Sequence, residues 1–287
     1  MDTMITFRND NLNSFMNKDE IRAKAPYVFA TKPTNPGVSD RYVLASTETI
    51  IDDMNKLGWR VVQCKQQRAN KNSSVRSFHM VAFQNPEVVI TRDGKDGEVV
   101  DSYPQSILVN SHDGFNSFKF MIGIFRCVCS NGLILATEQF EKITIRHINY
   151  TFDELRKIVA ESIGKVEEHI KVMNEMREFE LTEKQRHEFA INALAIRTGK
   201  EVSEVERKIT KDQVDELLKP ERDEDEGTNL WAVFNVLQEK ITKGAFRYGK
   251  TKLGKPRKAR PITGPARDIE VNQGLFRYAT SYLRAAA

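Results

Sequence analysis

The sequence has 287 residues, 40% of them hydrophobic, which suffices for a sizeable core in one large domain or two small ones. No apolar run approaches the ~20 residues of a membrane helix, and the N-terminus has neither the basic start nor the apolar middle of a signal peptide. Three cysteines are too few for a disulfide framework, so we expect an intracellular protein without a membrane span.

The net charge of +4 hides an uneven distribution. An acidic stretch, ERDEDEG, ends at Gly227, whereas the segment from Gly244 to Arg267 contains basic residues and no acid. Its basic residues are Arg247, Lys250, Lys252, Lys255, Arg257, Lys258, Arg260 and Arg267. Such a cluster favours a polyanion as partner.

The first part of the chain combines turns with alternating apolar and polar segments. Residues 1–40 are predicted to form a loose arm with little core of its own and one short helix near NKDEIRAK. YVLAST is apolar and extended, and Thr47 then caps a helix, TETIIDDMNKLG, which Gly58 ends. Strand patterns follow, namely WRVVQCKQQR with SFHMVAFQN, VVITRDGKDGEVV around its Asp-Gly steps, SILVNSHDG with FKFMIGIFRCVCSNG, and EKITIRHI.

From Thr151 the hydrophobic period changes from that of strands to that of helices. A long amphipathic helix begins there, and a helix SEVERKITKDQVDELL is expected to end at Pro220 within a charged stretch. The basic, Pro/Gly-rich segment RYGKTKLGKPRKARPITGP is predicted to form a loop. The other predicted helices are TEKQRHEFAINALAI, NLWAVFNVLQEKITKG and a last one that carries Leu275, Ala279 and Leu283.

Strands first and helices after predict an α+β fold, with a mainly antiparallel, hairpin-rich sheet followed by long helices. We expect a single domain with a helical C-terminal part. Its predicted segments are a flexible N-terminal arm (1–40), an α+β core (41–199), a charged connector (200–227) and a helical C-terminal part with the basic loop (228–287).

The stretch NSHDG, Asn110 to Gly114, places a hydroxyl, an imidazole and a carboxylate side by side. A catalytic triad is disfavoured because adjacent side chains point in different directions. Turn chemistry favours a structural interpretation, in which Asn110, Ser111 and Asp113 cap backbone amides and Gly114 takes a positive φ. The same turn remains able to present His112 to a ligand.

Two interpretations that involve a bound metal ion are also disfavoured. Cys127 and Cys129 are closer together than paired zinc ligands and have no second pair, so we expect no metal and no cofactor. Asp52 and Asp53 upstream of Lys65 imitate part of a Mg²⁺-dependent nuclease core, but both aspartates fall in a predicted helix. Solvated helix charges and a surface lysine are the favoured explanation.

Nucleic-acid binding needs no fixed constellation, only cations for phosphates and aromatic or amide groups for bases. Phe78, Phe118 and Phe120 are interleaved with basic residues on the predicted strands, although some of these rings must be core. The candidate phosphate contacts are Lys65, Arg68, Lys71, Arg76, Lys119, Arg126 and Arg146 on the hairpins, with Arg257, Lys258 and Arg260 as an electrostatic tail.

The combination of RYVLASTETIIDDMNKLGW, NSHDG, GIFRCVCSNGL and EKITIRHI leading into a long helix resembles the phage- and plasmid-borne family catalogued as domain of unknown function 932. The resemblance extends from about Ala25 to Leu283, and NSHDG and FRCVCSNGL are its most specific parts. The hallmark positions in this sequence are Asn110, Ser111, His112, Asp113, Gly114, Arg126, Asn131 and Gly132.

The resemblance implies a mobile-element protein that acts in the bacterial host cytoplasm. Single-strand annealing proteins of the Redβ, RecT and Erf type are similar in general plan, by analogy at the level of the fold. No Walker motif or Gly-rich phosphate loop is found in the sequence, which disfavours an ATP-driven strand exchanger. The leading hypothesis is therefore a non-enzymatic, ATP-independent protein that binds single-stranded DNA and anneals it as a homo-oligomeric ring or filament. The alternatives are an anti-restriction protein that binds a host protein and a Mg²⁺-dependent nuclease.

Overall fold

The computed structural model describes residues 3–7, 15–39, 42, 44–67, 77–94, 97–115, 118–126, 132–134, 144–145, 151–244, 246–250 and 256–286. The chain folds into two compact units. The first, here the sheet unit, comprises Met1–Glu168 with Thr263–Ala266, and the second, the helical unit, comprises His169–Ile262 with Arg267–Ala287. The predicted segment boundaries at 40, 199 and 227 stay a prediction.

The sheet unit contains an antiparallel sheet and short helices that precede or interrupt it. Its helices are α1 (Lys18–Lys24), a 3₁₀ turn (Pro26–Phe29) and α2 (Thr47–Lys56), and a longer helix, α3 (Phe152–Glu178), begins in this unit. Its strands are β1 (Thr3–Phe7), β2 (Arg60–Gln66), β3 (His79–Gln84), β4 (Val88–Gly94), β5 (Gly97–Asn110), β6 (Phe118–Arg126), β7 (Gly132–Ile134) and β8 (Thr144–Ile145).

Strand β5 organises the eight-stranded sheet of the described residues. β3 and β4 follow one another along one side of β5, and β6 pairs along the other side. β2 then pairs with β3, β1 with β4, and both β7 and β8 with β6, all antiparallel. The α+β class and the antiparallel sheet predicted from the strand patterns are confirmed.

One face of the sheet packs against the helices of this unit. Paired strand residues point to the same face, and the register joins Val81 to Leu108 and Leu108 to Phe120, all nearly inaccessible to solvent. Ile50, Met54, Leu155 and Ile158 of α2 and α3 lie in the same hydrophobic cluster. Each such side chain stabilises the fold by about 1.5–3 kcal/mol when fully buried.

The prediction of a loose N-terminal arm is wrong for residues 15–29, which the structure describes. Asn17 caps α1 in a capping box with Glu20, and the buried Ile21, Ala25 and Val28 belong to the hydrophobic cluster of the sheet. β1 also extends the sheet through β4. Local composition did not show this, because these apolar side chains find their partners on distant strands.

The helical unit is built around one helix that is buried over most of its length. The elements of this unit are α4 (Glu183–Thr198), α5 (Val202–Glu206), α6 (Lys211–Leu218), α7 (Leu230–Lys243), β9 (Arg247–Lys250), β10 (Pro256–Lys258) and α8 (Pro265–Ala286) from Arg267 onwards. Every residue of α7 from Leu230 to Ile241 is buried. Its polar side chains have partners, since Gln238 donates to Asn272 at 2.8 Å and Glu239 pairs with Arg222. No helix among the described residues is long and apolar enough to cross a membrane.

Three predictions about this unit need correction. The helix expected over SEVERKITKDQVDELL is divided into α5 and α6, because Thr210 caps the N-terminus of α6. The same charged stretch buries Val205, Val214 and Leu217 and is therefore packed, not solvated throughout. The expected basic loop forms the antiparallel pair of β9 and β10.

Candidate nucleic-acid interface

An open groove of about 1220 Å³ lies within the helical unit. It is bordered by the end of α4, the turn between α5 and α6, and the β9–β10 pair with the residues that follow it. The lining residues, which define the basic groove, are Arg197, Thr198, Lys200, Arg207, Lys208, Ile209, Thr210, Phe246, Tyr248, Gly249, Lys258, Ala259 and Arg260.

The basic groove is strongly cationic. Six of its described lining residues are Lys or Arg, and none is acidic. Among the described residues, no carboxylate lies within 4.0 Å of the cationic groups of Arg207, Lys258 or Arg260, which are all exposed. Like charges held together without counter-charges attract anions, and a concave surface strengthens this attraction.

Arg197 fixes one wall of the basic groove. Its guanidinium donates to the carbonyl oxygens of Ile241 and Arg260, and it lies 5.6 Å from the centre of the Phe246 ring. Burial and the charge of Arg267 lower the pKa of Arg197. Arg197 is therefore mainly a structural residue that holds the backbone of Arg260 in place.

Gly244 brings the same wall close to the end of α7. It ends that helix with a φ of 72°, a conformation that favours glycine. A Cβ atom at this position would lie 2.5 Å from the carbonyl carbon of Arg260. Only glycine allows the backbone beside Arg260 to approach this closely.

Tyr248 supplies an aromatic ring to the basic groove. It is half-buried, whereas Phe246 beneath the cations is almost completely buried. Burial raises the pKa of Tyr248, so its phenol is neutral at physiological pH. A neutral ring beside several cations is suited to contact a nucleobase while the cations contact phosphates.

In the sheet unit, the register aligns two of the predicted contact residues. Lys65 pairs with Met80, Met80 with Val109, Val109 with Lys119, and Lys119 with Thr144. Lys65 and Lys119 therefore lie on one face, separated by three strand spacings or about 14 Å. Lys119 is exposed and Lys65 is half-buried. We call these two residues the lysine row.

The other predicted contacts are only partly placed by the structure. Arg126 lies on β6 and Arg257 on β10, whereas Lys258 and Arg260 line the basic groove. Arg68, Lys71, Arg76 and Arg146 lie outside the described residues. Phe118 and Phe120 are fully buried, so these rings belong to the core and do not stack with bases.

The NSHDG stretch connects β5 to β6 and is buried from Asn110 to Asp113. The Asp113 carboxylate accepts from the Ser77 amide at 3.0 Å, the Ser111 hydroxyl at 2.7 Å and the Phe115 amide at 3.0 Å. The Asn110 side chain accepts from the Ser111 amide at 2.8 Å, and Gly114 has a φ of 77°. The structural turn interpretation is thereby confirmed for Asn110, Asp113 and Gly114.

Two buried histidines meet at Thr47 in the same cluster. His79 Nδ1 lies 2.7 Å from the Ser77 carbonyl oxygen, so it carries the proton, and Nε2 accepts from the Thr47 hydroxyl at 2.8 Å. Thr47 Oγ1 then accepts from Asn110 Nδ2 at 2.9 Å and faces His112 Nε2 at 3.3 Å. Thr47 was predicted to cap α2, but Ser46 is the cap.

This buried polar cluster holds strands together and lacks the geometry of a catalytic triad. The Ser111 hydroxyl donates to Asp113, and His112 faces Thr47. In a triad the imidazole would lie between the hydroxyl and the carboxylate. Ser77 joins the cluster to the preceding segment, because its hydroxyl contacts both Thr34 and the His112 amide.

We expect His79 to make the protein acid-sensitive. Burial lowers its pKa from 6.5 to about 4, so the native state keeps the neutral form while the unfolded state takes up a proton. This contribution to stability is complete above pH 6.5 and is lost as the pH falls towards 4, by about 3 kcal/mol. Denaturant unfolding at several pH values should show this loss, and His79→Gln should flatten the pH profile.

His187→Gln is the matched control, because His187 is partly exposed beside Asp215 on the surface of the helical unit. This variant shows how much of any change in the pH profile follows from the loss of one histidine alone. If His79→Gln keeps the full acid dependence, the buried neutral imidazole is not its cause.

The sequence indicated Lys258 and Arg260 as candidate contacts in an electrostatic tail, but it did not indicate Arg197, Lys200, Arg207 and Lys208. These four cations lie within a short stretch at the ends of α4 and α5. Acidic residues alternate with them in the sequence, so no basic run was visible. Their proximity to Lys258 and Arg260 depends on packing.

The two aspartates of the hypothetical nuclease site form ion pairs with lysines of the sheet unit. Asp52 pairs with Lys18 at 3.0 Å, and the buried Asp53 pairs with Lys56 at 2.7 Å. No group of three or more His, Cys, Asp or Glu side chains in the described part of the chain is placed to hold a metal ion. Cys127 and Cys129 lie outside the described residues.

Comparison with known proteins places the chain in a family. Residues 37–277 match the family described as Domain of unknown function (DUF932). The chain belongs to this DUF932 family. It is also similar to two Escherichia coli K12 proteins, UPF0380 protein YfjQ and UPF0380 protein YafZ, each 24% identical over 270 residues, which cover 93% of this chain and 92% of the relative. No solved structure matches this DUF932 protein.

Proposed function

We propose that this DUF932 protein binds single-stranded nucleic acid, with DNA as the expected ligand, and that the basic groove is its main contact surface. The observation that carries the proposal is the convergence of six Lys and Arg residues, of which Arg207, Lys258 and Arg260 have no carboxylate within 4.0 Å among the described residues. Cations that neutralise phosphates release condensed counterions, which favours binding of any sequence. The open groove of about 1220 Å³ also exceeds the usual size of small-molecule pockets.

The half-buried Tyr248 supports a single strand over a duplex. Unpaired bases can stack on an aromatic ring, and each such contact contributes about 1–3 kcal/mol without regard to sequence. The bases of a duplex are already stacked on each other and do not offer their faces. A groove with several cations and one partly exposed ring therefore fits a single strand better.

We extend the proposal to ATP-independent annealing by a homo-oligomer in phage or plasmid recombination. Annealing requires that the repulsion between two phosphate backbones is reduced, and bound cations reduce it. The lysine row places two further cations on the sheet unit, with the buried Met80 and Val109 between them. Binding through phosphates positions a strand without reading its sequence, which leaves bases available for pairing.

The test is direct. Fluorescence anisotropy should show binding of oligo(dT) of about 16 nucleotides, the upper range of single-strand site sizes, in EDTA and at about 50 mM salt. Duplex of equal length should bind more weakly. Complementary strands should anneal faster with the protein than without it, and ATP should make no difference.

A parent protein that binds no oligonucleotide at low salt would contradict the proposal and favour a host protein as the target, as in anti-restriction. Cleavage of the strand on addition of Mg²⁺ would point to a nuclease instead. Native mass spectrometry with and without oligo(dT) would reveal whether a homo-oligomer forms.

A further inference from the structure

Two of the six cations of the basic groove are engaged by one carboxylate. The ammonium groups of Lys200 and Lys208 both donate to the same oxygen, Glu204 Oε1, and the distance from Lys208 is 2.6 Å. Both lysines line the basic groove, whereas Glu204 does not. The two lysines are thus held together at the groove surface by a single anionic oxygen.

This arrangement has the chemistry of a phosphate position. A phosphate oxygen is an anionic acceptor that charge-assisted donors approach at similar distances. Arg207, which precedes Lys208 in the sequence, also lines the basic groove. Hydrogen bonds from Lys200 and Lys208 lower the pKa of Glu204 to about 2, so the carboxylate is ionised at neutral pH.

We propose that Glu204 is an internal competitor for phosphate: a phosphate group of the ligand replaces its carboxylate between Lys200 and Lys208. The inference rests on the proposed function for the identity of the ligand as a nucleic acid. Glu204 lowers affinity in two ways, because it occupies two cations and repels the incoming phosphate. Exposed ion pairs are weak, so a polyanion is able to displace it.

Removal of the carboxylate should therefore strengthen binding. We expect Glu204→Gln to bind oligo(dT) about tenfold more tightly at low salt, since two exposed ion pairs no longer have to break. The logarithmic salt dependence should stay close to that of the parent, because phosphate contacts the same two lysines in both complexes. Glu204→Ala, which removes the acceptor as well as the charge, should show the same gain.

The chain offers a matched control in Glu188, which pairs with Lys184 at the same i,i+4 spacing outside the basic groove. Glu188→Gln changes the net charge by the same amount and should leave affinity close to that of the parent. Adding Lys200→Gln and Lys208→Gln to Glu204→Gln should abolish the gain. Equal affinities for Glu204→Gln and Glu188→Gln would overturn the inference, because a general charge effect would then suffice.

A second probe separates this inference from the proposed function. Inorganic tripolyphosphate, measured by calorimetry, should bind Glu204→Gln more tightly than the parent protein or Glu188→Gln. If oligo(dT) binds no variant but tripolyphosphate shows this order, the proposed function fails and the phosphate position stands. If oligo(dT) binds but neither probe distinguishes Glu204→Gln from Glu188→Gln, the inference alone fails.

Discussion

Asp113→Ala is expected to lower the free energy of unfolding by about 3–5 kcal/mol, because it leaves buried donors without their acceptor. Its carboxylate accepts from two backbone amides, of Ser77 and Phe115, and from the Ser111 hydroxyl. Asp113 is itself 1% exposed, so water has little access to replace these bonds. Chemical denaturation followed by circular dichroism measures the loss.

Asp153→Ala is the control for Asp113→Ala. The Asp153 side chain is 85% exposed in the first turn of α3, and its removal should cost less than about 1 kcal/mol. Asp113→Asn should lower the free energy of unfolding by an intermediate amount. One side-chain oxygen remains as an acceptor, but the new amide group would face a donor. A loss for Asp113→Ala as small as that for Asp153→Ala would show that the buried polar cluster contributes little to stability.

The triple variant Arg207→Gln, Lys258→Gln, Arg260→Gln should weaken binding to oligo(dT) on the order of 100-fold at low salt, since each charge-assisted phosphate contact contributes about 1.5–3 kcal/mol before losses to solvent exposure. The logarithmic salt dependence should become less steep by about 0.7 for each lost contact. All sequences should be affected alike, because phosphate contacts do not read bases. Anisotropy titrations across a salt series provide both quantities.

The helical unit also supplies the control for this variant. Lys171, Arg277 and Arg284 are exposed and do not line the basic groove. Their replacement by Gln removes the same number of lysine and arginine charges, so any effect of net charge is reproduced. The basic groove is not the binding surface if both triple variants lose affinity equally while thermal unfolding shows both to be folded.

Much of the secondary structure was predictable because its signals are local. The helix around Ile50 and Met54 follows from apolar residues at helical spacing, and the strand pair that ends in Gly94 and Gly97 follows from alternation around Asp-Gly steps. The turn at NSHDG was likewise predictable, because Asn, Ser, Asp and Gly are typical turn residues. The helix start at Thr210 is also a local feature, but the surrounding charged residues made its capping role hard to predict from the sequence.

The partners of the NSHDG turn were not predictable. Asp113 binds the amide of Ser77, 36 residues earlier, and Asn110 contacts the hydroxyl of Thr47, 63 residues earlier. No periodicity or spacing rule connects such positions. The cluster forms only when β3, β5 and the start of α2 have been brought together by the sheet.

The sequence by itself determined the α+β class, the order of strands and helices, the basic character of the segment after Gly244 and the presence of a turn at NSHDG, because each depends on neighbouring residues. Only the tertiary structure decided which cations act together. Lys258 and Arg260 meet Lys200, Arg207 and Lys208 because Arg197 and Gly244 hold distant backbone segments in contact. Charges that alternate in sign along the chain become a groove of one sign when packing turns one set of side chains to the same surface.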